Sequence, residues 1–357
     1  MSRDPIPTAI LGAGGYIGQH FVRLLADHPR FASPLLVGGE RSEGRRLEEL
    51  WQLAEAPPAA LASERLRRGT PAGLARSGVR VVFSALPSGT AGAFESELVR
   101  RGVSVFSNAS DHRMDAGLPL LVPEVNAAHL GLLPRPRPGR GILVTNPNCS
   151  AAGLVVALAP LVPLLRPTAL HVATYQALSG AGYPGVPSLA ITDNVVPFIR
   201  EEEEKVEQET SRMLGRLVAG RIRPLRLPTV VHCARVGTRE GHLEAVTVET
   251  RRRPTLSEIL GAWRSFDPLA GRELPTAPHP PVVLRAEPDR PQPLRDRWAG
   301  EPARARGMAV VVGRVRWSPP YLRFFVLSHN AVRGGAGGSV LNAELALHEG
   351  RIPSGGA

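Results

Sequence analysis

The feature that most constrains the fold is a glycine-rich turn close to the start of the chain. Residues 8–11, TAIL, are typical of a short buried strand, and the segment GAGGYIG follows directly from Gly12 to Gly18. Beyond it, apolar side chains recur at the spacing of one helix face, at Ile17, Phe21, Leu24 and Leu25. A strand, a glycine turn and a helix in this order let the backbone approach a pyrophosphate at the helix N-terminus. The glycines do not follow the strict G-x-G-x-x-G form, so a tight turn without a ligand stays the alternative.

The rest of the chain separates into two patterns. Short apolar runs alternate with helical or loop segments up to residue 145, which is typical of βαβ units around a parallel sheet. After residue 149 the apolar runs are longer and often alternate, at 168–177, 229–236, 242–250, 308–317 and 321–328. The predicted fold class is α/β: a Rossmann-type parallel sheet domain plus an α+β domain with a mixed, largely antiparallel sheet. Two helices are expected in the second half of the chain, a charged one at 201–217 and an amphipathic one at 338–350. Between them, the Pro/Arg-rich stretch 268–306 is expected to be an ordered excursion.

Composition excludes several classes of protein. The formal charge is +11, but the arginines are scattered, the aromatics make up only 5%, and no basic helix appears, which argues against a nucleic-acid partner. No run of about 18 apolar residues and no signal peptide is visible, so no membrane partner is expected. Two cysteines do not make a disulfide framework, which favours the cytoplasm. Nothing in the sequence indicates a metal. Lys205 is the single lysine among 43 basic residues.

Cys149 lies where a β-branched run ends and an apolar helical pattern begins, in TNPNCSAAG. A helix N-terminus lowers the pKa of a thiol, and its first backbone N–H groups would face an oxyanion. Cys233, inside TVVHCARV, is typical of a buried apolar thiol instead. A nucleophile needs a base, and His242 follows Arg235 by seven residues across a polar turn. We expect these two at adjacent strand ends, facing one cavity, although an ordinary strand-start histidine remains the alternative.

The end of the second strand carries GGERSEGRR. An acidic residue here accepts the ribose hydroxyls of NAD, whereas Arg and Ser would bind a 2′-phosphate. Arg41, Ser42 and Arg45 outweigh Glu40 and favour NADP, with NAD still possible and a solvated loop as the alternative.

Ten segments resemble, in order, the aspartate-semialdehyde dehydrogenases, most closely the archaeal and fungal type. They are GAGGYIG, SALPS, SNASDHRM, PLLVPEVN, TNPNCS, QALSGAGYPGVPSL, DNVVPFIREEEEK, RVGTREGHLEAV, EPDRPQPLRDR and HNAVRGGAGGSVLNAEL. The resemblance implies reversible NADPH-dependent reduction of L-aspartyl-4-phosphate to L-aspartate 4-semialdehyde with release of phosphate, a step of aspartate-family amino-acid biosynthesis. It implies a thioacyl intermediate on Cys149, His242 as general acid/base, and Gln176 as the residue that orients the reacting group.

The resemblance also implies the substrate-binding residues. Arg235 would hold the substrate carboxylate and Glu202 its amino group, while Lys205, Asn108 and Arg113 would bind the phosphate. An unselected surface residue is the alternative for Lys205.

For the cofactor, the resemblance implies a set of residues in five parts of the chain. They are Gly12, Gly14, Gly15, Tyr16, Ile17, Gly18, Arg41, Ser42, Ser84, Ser179, Gly180 and Asn330. It divides the chain into a discontinuous NADP-binding domain, 1–148 with 330–357, and a catalytic and dimerisation domain, 149–329. A homodimer or homotetramer is expected.

The chain departs from its relatives at three small positions. Gly14 and Ala331 replace threonines, and Ala234 stands where an asparagine is common, which puts cofactor preference and fine positioning in question. Three other functions remain open: an acyl-CoA reductase of the malonyl-CoA reductase type, an acetylglutamyl-phosphate reductase, and a nucleotide-sensing relative without catalysis.

Overall fold

The computed structural model describes residues 4–137 and 139–352 and contains two six-stranded sheets. The first sheet is entirely parallel, in the order β3-β2-β1-β4-β5-β6. Its strands are β1 (Thr8–Leu11), β2 (Leu35–Gly38), β3 (Arg67–Arg68), β4 (Val81–Ser84), β5 (Ser104–Ser107) and β6 (Leu143–Thr145). This order reverses beside β1, and a doubly wound sheet binds its ligand at such a point, beyond the carboxyl ends of the strands.

The second sheet is mixed, in the order β10-β7-β11-β14-β13-β12. Its strands are β7 (Pro167–Gln176), β10 (Thr229–Arg235), β11 (His242–Thr250), β12 (Val282–Leu284), β13 (Val310–Ser318) and β14 (Tyr321–Ser328). Three of its five pairings are antiparallel, and β10–β7 and β12–β13 are parallel. A separate hairpin joins β8 (Arg216–Val218) and β9 (Arg221–Arg223). The predicted fold class is therefore confirmed, and the sheet is mixed as expected.

Helices cover both faces of the first sheet and one face of the second. They are α1 (Tyr16–Leu25), α2 (Leu47–Leu50), α3 (Ala59–Ala62), α4 (Pro71–Arg76), α5 (Ala91–Arg100), α6 (Pro123–Asn126), α7 (Cys149–Leu158), α8 (Leu161–Leu165), α9 (Ser188–Ile191), α10 (Glu202–Met213), α11 (Leu256–Arg264), α12 (Pro293–Asp296) and α13 (Gly337–His348). The predicted charged helix is α10, and the 268–306 stretch is ordered around β12 and α12.

The glycine turn joins β1 to α1 through a very close approach of the backbone. Gly12 has a φ of +75°, and a Cβ at Gly18 would lie 2.0 Å from the Gly12 carbonyl oxygen. Only glycine allows the helix to start this close to the strand, so its N-terminus points beyond the carboxyl edge of the sheet.

The last helix, α13, packs into the core of the first sheet. Val340, Leu341 and Leu345 belong to one buried cluster with Phe21 of α1 and Phe83 of β4. The sequence predicted an amphipathic helix here, and this is wrong, because every residue from Gly337 to Ala346 is buried. A helix enclosed on all sides needs no polar face.

No helix within the described ranges is long and apolar enough to cross a membrane.

Candidate active site

Polar side chains form two rows of cross-strand neighbours on the helix-covered face of the second sheet. The pairing Arg235–Gln176 links β10 to β7, and His242 on β11 pairs with Ser328 on β14. One step along the strands, Thr174 of β7 faces Cys233 on one side and Glu244 on the other. All seven side chains belong to buried residues.

Arg235 and His242 were predicted at adjacent strand ends, and this is wrong. Strand β7 lies between β10 and β11, so Gln176 separates the two side chains. They nevertheless face one site, because a Cβ at Gly180 would lie 2.6 Å from Arg235 Nη1 and 3.1 Å from His242 Cε1.

Cys149 is the first residue of α7, and its sulfur contacts His242. The Sγ lies 3.1 Å from His242 Nε2, across 93 residues of sequence. Sequence spacing alone could not establish this contact, which brings the predicted nucleophile and the predicted base together.

Burial dominates the protonation of this pair. It raises the pKa of the Cys149 thiol to about 12, with Glu202 adding to the rise and Arg235 and Arg113 opposing it. Burial, followed by the charge of Arg235, lowers the pKa of His242 to about 3. The resting pair is therefore a neutral thiol beside a neutral imidazole, and the expectation that the helix N-terminus lowers the pKa of the thiol is not met.

A backbone amide fixes the tautomer of His242. The Ala177 N–H donates to His242 Nδ1 at 3.0 Å, so the proton of the neutral ring lies on Nε2. That proton points at Cys149 Sγ, and His242 faces the sulfur as a hydrogen-bond donor.

The helix cap next to Cys149 uses amides that the sequence predicted to face an oxyanion. Asn148 Oδ1 accepts from the N–H groups of Ser150 and Ala151, at 2.9 and 3.2 Å. This is a strong N-cap, and it takes two amides of the first turn away from a substrate. The Asn148 N–H itself donates to Glu209 at 2.6 Å.

Gln176 and Glu202 touch each other beside the thiol. Gln176 Nε2 donates to Glu202 Oε1 at 2.9 Å, and both residues are buried. Glu244 lies deeper, and burial together with Glu202 raises its pKa well above that of an ordinary glutamate. Its Oε2 has no hydrogen-bond partner among the described residues, so Glu244 is a neutral acid beneath the site.

The predicted phosphate ligands lie on a network that also reaches the cap of α7. Arg113 donates to the Asn108 carbonyl at 2.7 Å and to Glu209 Oε1 at 3.1 Å. Lys205 pairs instead with Glu201, at 3.1 Å. Glu209, seven residues after Glu202 on the same helix, was missed by sequence reasoning, and only its position on that helix face could have indicated it.

The predicted cofactor turn lines a cavity of about 300 Å³ at the N-terminus of α1. Five of its lining residues were predicted: Gly14, Gly15, Tyr16, Ile17 and Gly18. Four were not: Gln52, Ala85, Gly182 and Tyr183. Backbone amides at a helix start beside a glycine turn suit a pyrophosphate, so the residues present fit a dinucleotide.

The other predicted cofactor residues lie around this cavity or beyond it. Asn330 Nδ2 donates to Ser179 Oγ at 2.9 Å, next to Gly180. Ser84 is fully buried at the end of β4. Ser42 donates to the Gly39 carbonyl, and Arg41 is exposed at the end of β2.

The two halves of the chain match two domain families. Residues 7–132 match the semialdehyde dehydrogenase NAD-binding domain, and residues 158–333 match the semialdehyde dehydrogenase dimerisation domain. The chain is 45% identical over 347 residues to the aspartate-semialdehyde dehydrogenase of Archaeoglobus fulgidus, which spans 95% of this chain and 97% of the relative. The chain belongs to the aspartate-semialdehyde dehydrogenase family.

The chain is also similar to one solved structure and to a second relative with a different name. The aspartate-semialdehyde dehydrogenase from Candida albicans, crystallised with NADP, has a TM-score of 0.83 and 32% identity, covering 97% of this chain and 99% of that one. The malonyl CoA reductase (NADP) of Metallosphaera sedula is 36% identical over 362 residues, covering 98% of this chain and 99% of the relative. The aspartate-semialdehyde dehydrogenase family thus has a relative of similar sequence that is named for an acyl-CoA substrate.

Proposed function

We propose that this chain catalyses the reversible NADPH-dependent reduction of L-aspartyl-4-phosphate to L-aspartate 4-semialdehyde, with release of phosphate. The observation that carries the proposal is the contact of Cys149 Sγ with His242 Nε2 at 3.1 Å, beside Arg235, Gln176 and Glu202. It pairs a nucleophile with a proton donor and adds one cation and one anion for an α-amino acid.

In the first step Cys149 attacks the acyl carbon of the anhydride. The S–C bond forms, the C–O bond to phosphate breaks, and the thiol proton leaves with the hydrogen phosphate. The His242 Nε2–H stabilises the developing thiolate, and the cations of Arg235 and Arg113 offset its charge. Since the cap occupies two amides of the first turn, we assign the substrate oxygen to the Cys149 N–H and, once its bond to Glu202 is released, to Gln176.

In the second step the thioester becomes the aldehyde. The bound cofactor supplies the hydride for this reduction. His242 then holds its Nε2–H against the leaving sulfur, and a proton from solvent restores the Cys149 thiol. Arg235 binds the substrate carboxylate and Glu202 its ammonium group, which keeps the acyl carbon near the sulfur. We assign the phosphate to Lys205, Arg113 and Asn108.

We propose NADP as the cofactor in preference to NAD. Arg41 is exposed at the end of β2 and makes no ion pair within the described part of the chain, so its guanidinium is available to a 2′-phosphate. The neighbouring Glu40 pairs with Arg68 at 3.1 Å, which engages the acid that would otherwise favour NAD.

We further propose that 1–148 and 330–357 form the cofactor domain and that the enzyme is a cytoplasmic homodimer or homotetramer. The burial of α13 among α1 and β4 supports this division, although residues 1–3, 138 and 353–357 lie outside the described residues. The uncovered face of the second sheet exposes Tyr175, Val230 and Tyr321, which supports a symmetric contact there.

One comparison tests the proposal. The purified protein is assayed with aspartate semialdehyde, phosphate and NADP or NAD, and in parallel with malonyl-CoA and NADPH, using Cys149→Ala as the control. We expect phosphate-dependent NADPH formation at least about 100-fold above the control, and a much weaker rate with malonyl-CoA. A higher rate with malonyl-CoA than with aspartate semialdehyde would identify the protein as an acyl-CoA reductase instead. Turnover by Cys149→Ala would contradict the mechanism.

A further inference from the structure

Glu240 is a buried acid that the proposed reaction does not use, two residues before His242. The Tyr16 hydroxyl donates a short hydrogen bond to its Oε1. Arg297 Nε pairs with its Oε2 at 3.3 Å, and His329 Nε2 lies 3.8 Å from the same oxygen. Tyr16 lines the cofactor cavity at the start of α1, so one carboxylate joins that cavity to the chain entering β11.

The turn that contains Glu240 is also bound to two other predicted cofactor residues. The Ser179 N–H donates to the Arg239 carbonyl at 3.1 Å. The Gly241 N–H donates to Asn330 Oδ1 at 2.9 Å, and Asn330 in turn donates to Ser179. Tyr16, Ser179 and Asn330 therefore converge on residues 239–241.

The backbone of this turn packs closely against α12 at Gly241. Gly241 has a φ of +95°, and a Cβ there would lie 3.3 Å from the Cβ of Arg297. Gly241 alone separates Glu240 in sequence from His242, whose Nε2 contacts the sulfur of Cys149.

We propose that the Tyr16–Glu240 hydrogen bond couples occupation of the cofactor cavity to the reactivity of Cys149, with Glu240 as a positioning residue that acts through His242. The inference rests on the proposed function only in taking the cavity as the cofactor site. A ligand that orders Tyr16 orders the Glu240 carboxylate, and this fixes the direction of the His242 Nε2–H towards the sulfur.

The test measures alkylation of Cys149 by iodoacetamide, located by mass spectrometry, with and without a saturating cofactor fragment. The fragment is 2′-phospho-ADP-ribose, which lacks the nicotinamide ring and so cannot shield the sulfur as that ring would. We expect it to change the wild-type alkylation rate at least about 5-fold, the lower range of allosteric coupling. In Tyr16→Phe and Glu240→Ala, neither of which can form the bond, the ratio should fall to within about 2-fold of unity. The double variant should lose no more than either single variant, because both remove the same hydrogen bond.

Matched controls and binding measurements separate coupling from damage to the fold. Glu249→Ala, at the far end of β11, should keep the wild-type ratio. Fragment titration of each variant verifies saturation. A wild-type ratio of one, a ratio that persists in both variants, or additive losses would each overturn the coupling. Alkylation needs no substrate, so the coupling can hold even if the protein turns over neither substrate.

Discussion

At the scale of single residues, the amide of Ala177 decides how His242 can act. An imidazole that accepts at Nδ1 already carries its proton on Nε2, so it cannot also take the proton of Cys149 without changing tautomer. A resemblance to other enzymes names His242 as an acid/base, and the hydrogen bond from Ala177 restricts that role to donation.

Two substitutions of His242 test whether this residue acts on Cys149 as a hydrogen-bond donor. The amide of Gln can place an N–H near the Nε2 position, whereas Asn is shorter and accepts from Ala177 without reaching the sulfur. We expect Cys149 alkylation at pH 7 to be about 10-fold faster in His242→Gln than in His242→Asn, the effect of one hydrogen bond to a charged group. Equal rates in the two variants would show that the Nε2–H does not stabilise the thiolate.

The sequence indicated the chemically distinctive residues of the site but not the residues whose hydrogen bonds position them. Cys149, His242 and Arg235 could be singled out by residue type and by the segments around them. The amide of Ala177, the carboxylate of Glu209 and that of Glu240 act through contacts that join distant parts of the chain. The Tyr16–Glu240 bond spans 224 residues, and no local pattern encodes such a pairing.

At the scale of elements, the sequence predicted the strands of the second sheet far better than their order. The alternating runs correspond closely to β7, β10, β11, β13 and β14. The insertion of β7 between β10 and β11 follows from long-range pairing, in which β10 runs parallel to β7 and β11 antiparallel to it. Strands β3 and β12, with two and three residues, are too short to leave a periodic pattern.

Strand β11 carries a neutral acid in its buried face, and this has a consequence for stability. Because burial raises the pKa of Glu244 in the folded state, the unfolded chain ionises first as the pH rises. As the pH rises above the ordinary pKa of a glutamate, the folded state therefore loses stability relative to the unfolded state. The loss stops once the Glu244 carboxyl of the folded protein ionises as well.

We therefore expect Glu244→Gln to gain stability relative to wild type between pH 5 and pH 8, by about 1 kcal/mol or more. Urea unfolding at the two pH values measures the difference, and Glu249→Gln on the same strand is the control. A difference that is constant with pH would mean that Glu244 is ionised in the folded protein.

At the scale of the whole molecule, the succession of βαβ units and then a mixed sheet was predictable from apolar patterning alone. The environment of α13 was not predictable in this way, because the helix is buried on all sides from Gly337 to Ala346. Only the tertiary structure reveals that this helix fills space between α1 and the first sheet.

The contribution of α13 to the core can be measured with one matched pair of substitutions. Leu341 is fully buried in the cluster of the first sheet, whereas Leu256 of α11 is 41% exposed. We expect Leu341→Ala to cost about 2–5 kcal/mol of unfolding free energy and Leu256→Ala less than about 1. Similar costs in denaturant unfolding would contradict the packing of α13.

The position of α13 also bears on how the protein is made. A ribosome releases β1 to β6 first, but the core of that sheet lacks Leu341 and Leu345 until the last helix has been synthesised. The apolar surface of the first sheet that α13 covers therefore stays exposed while the second sheet is synthesised and its strands pair. Chains stalled before residue 337 would keep this apolar surface exposed until α13 is synthesised and packs against the first sheet.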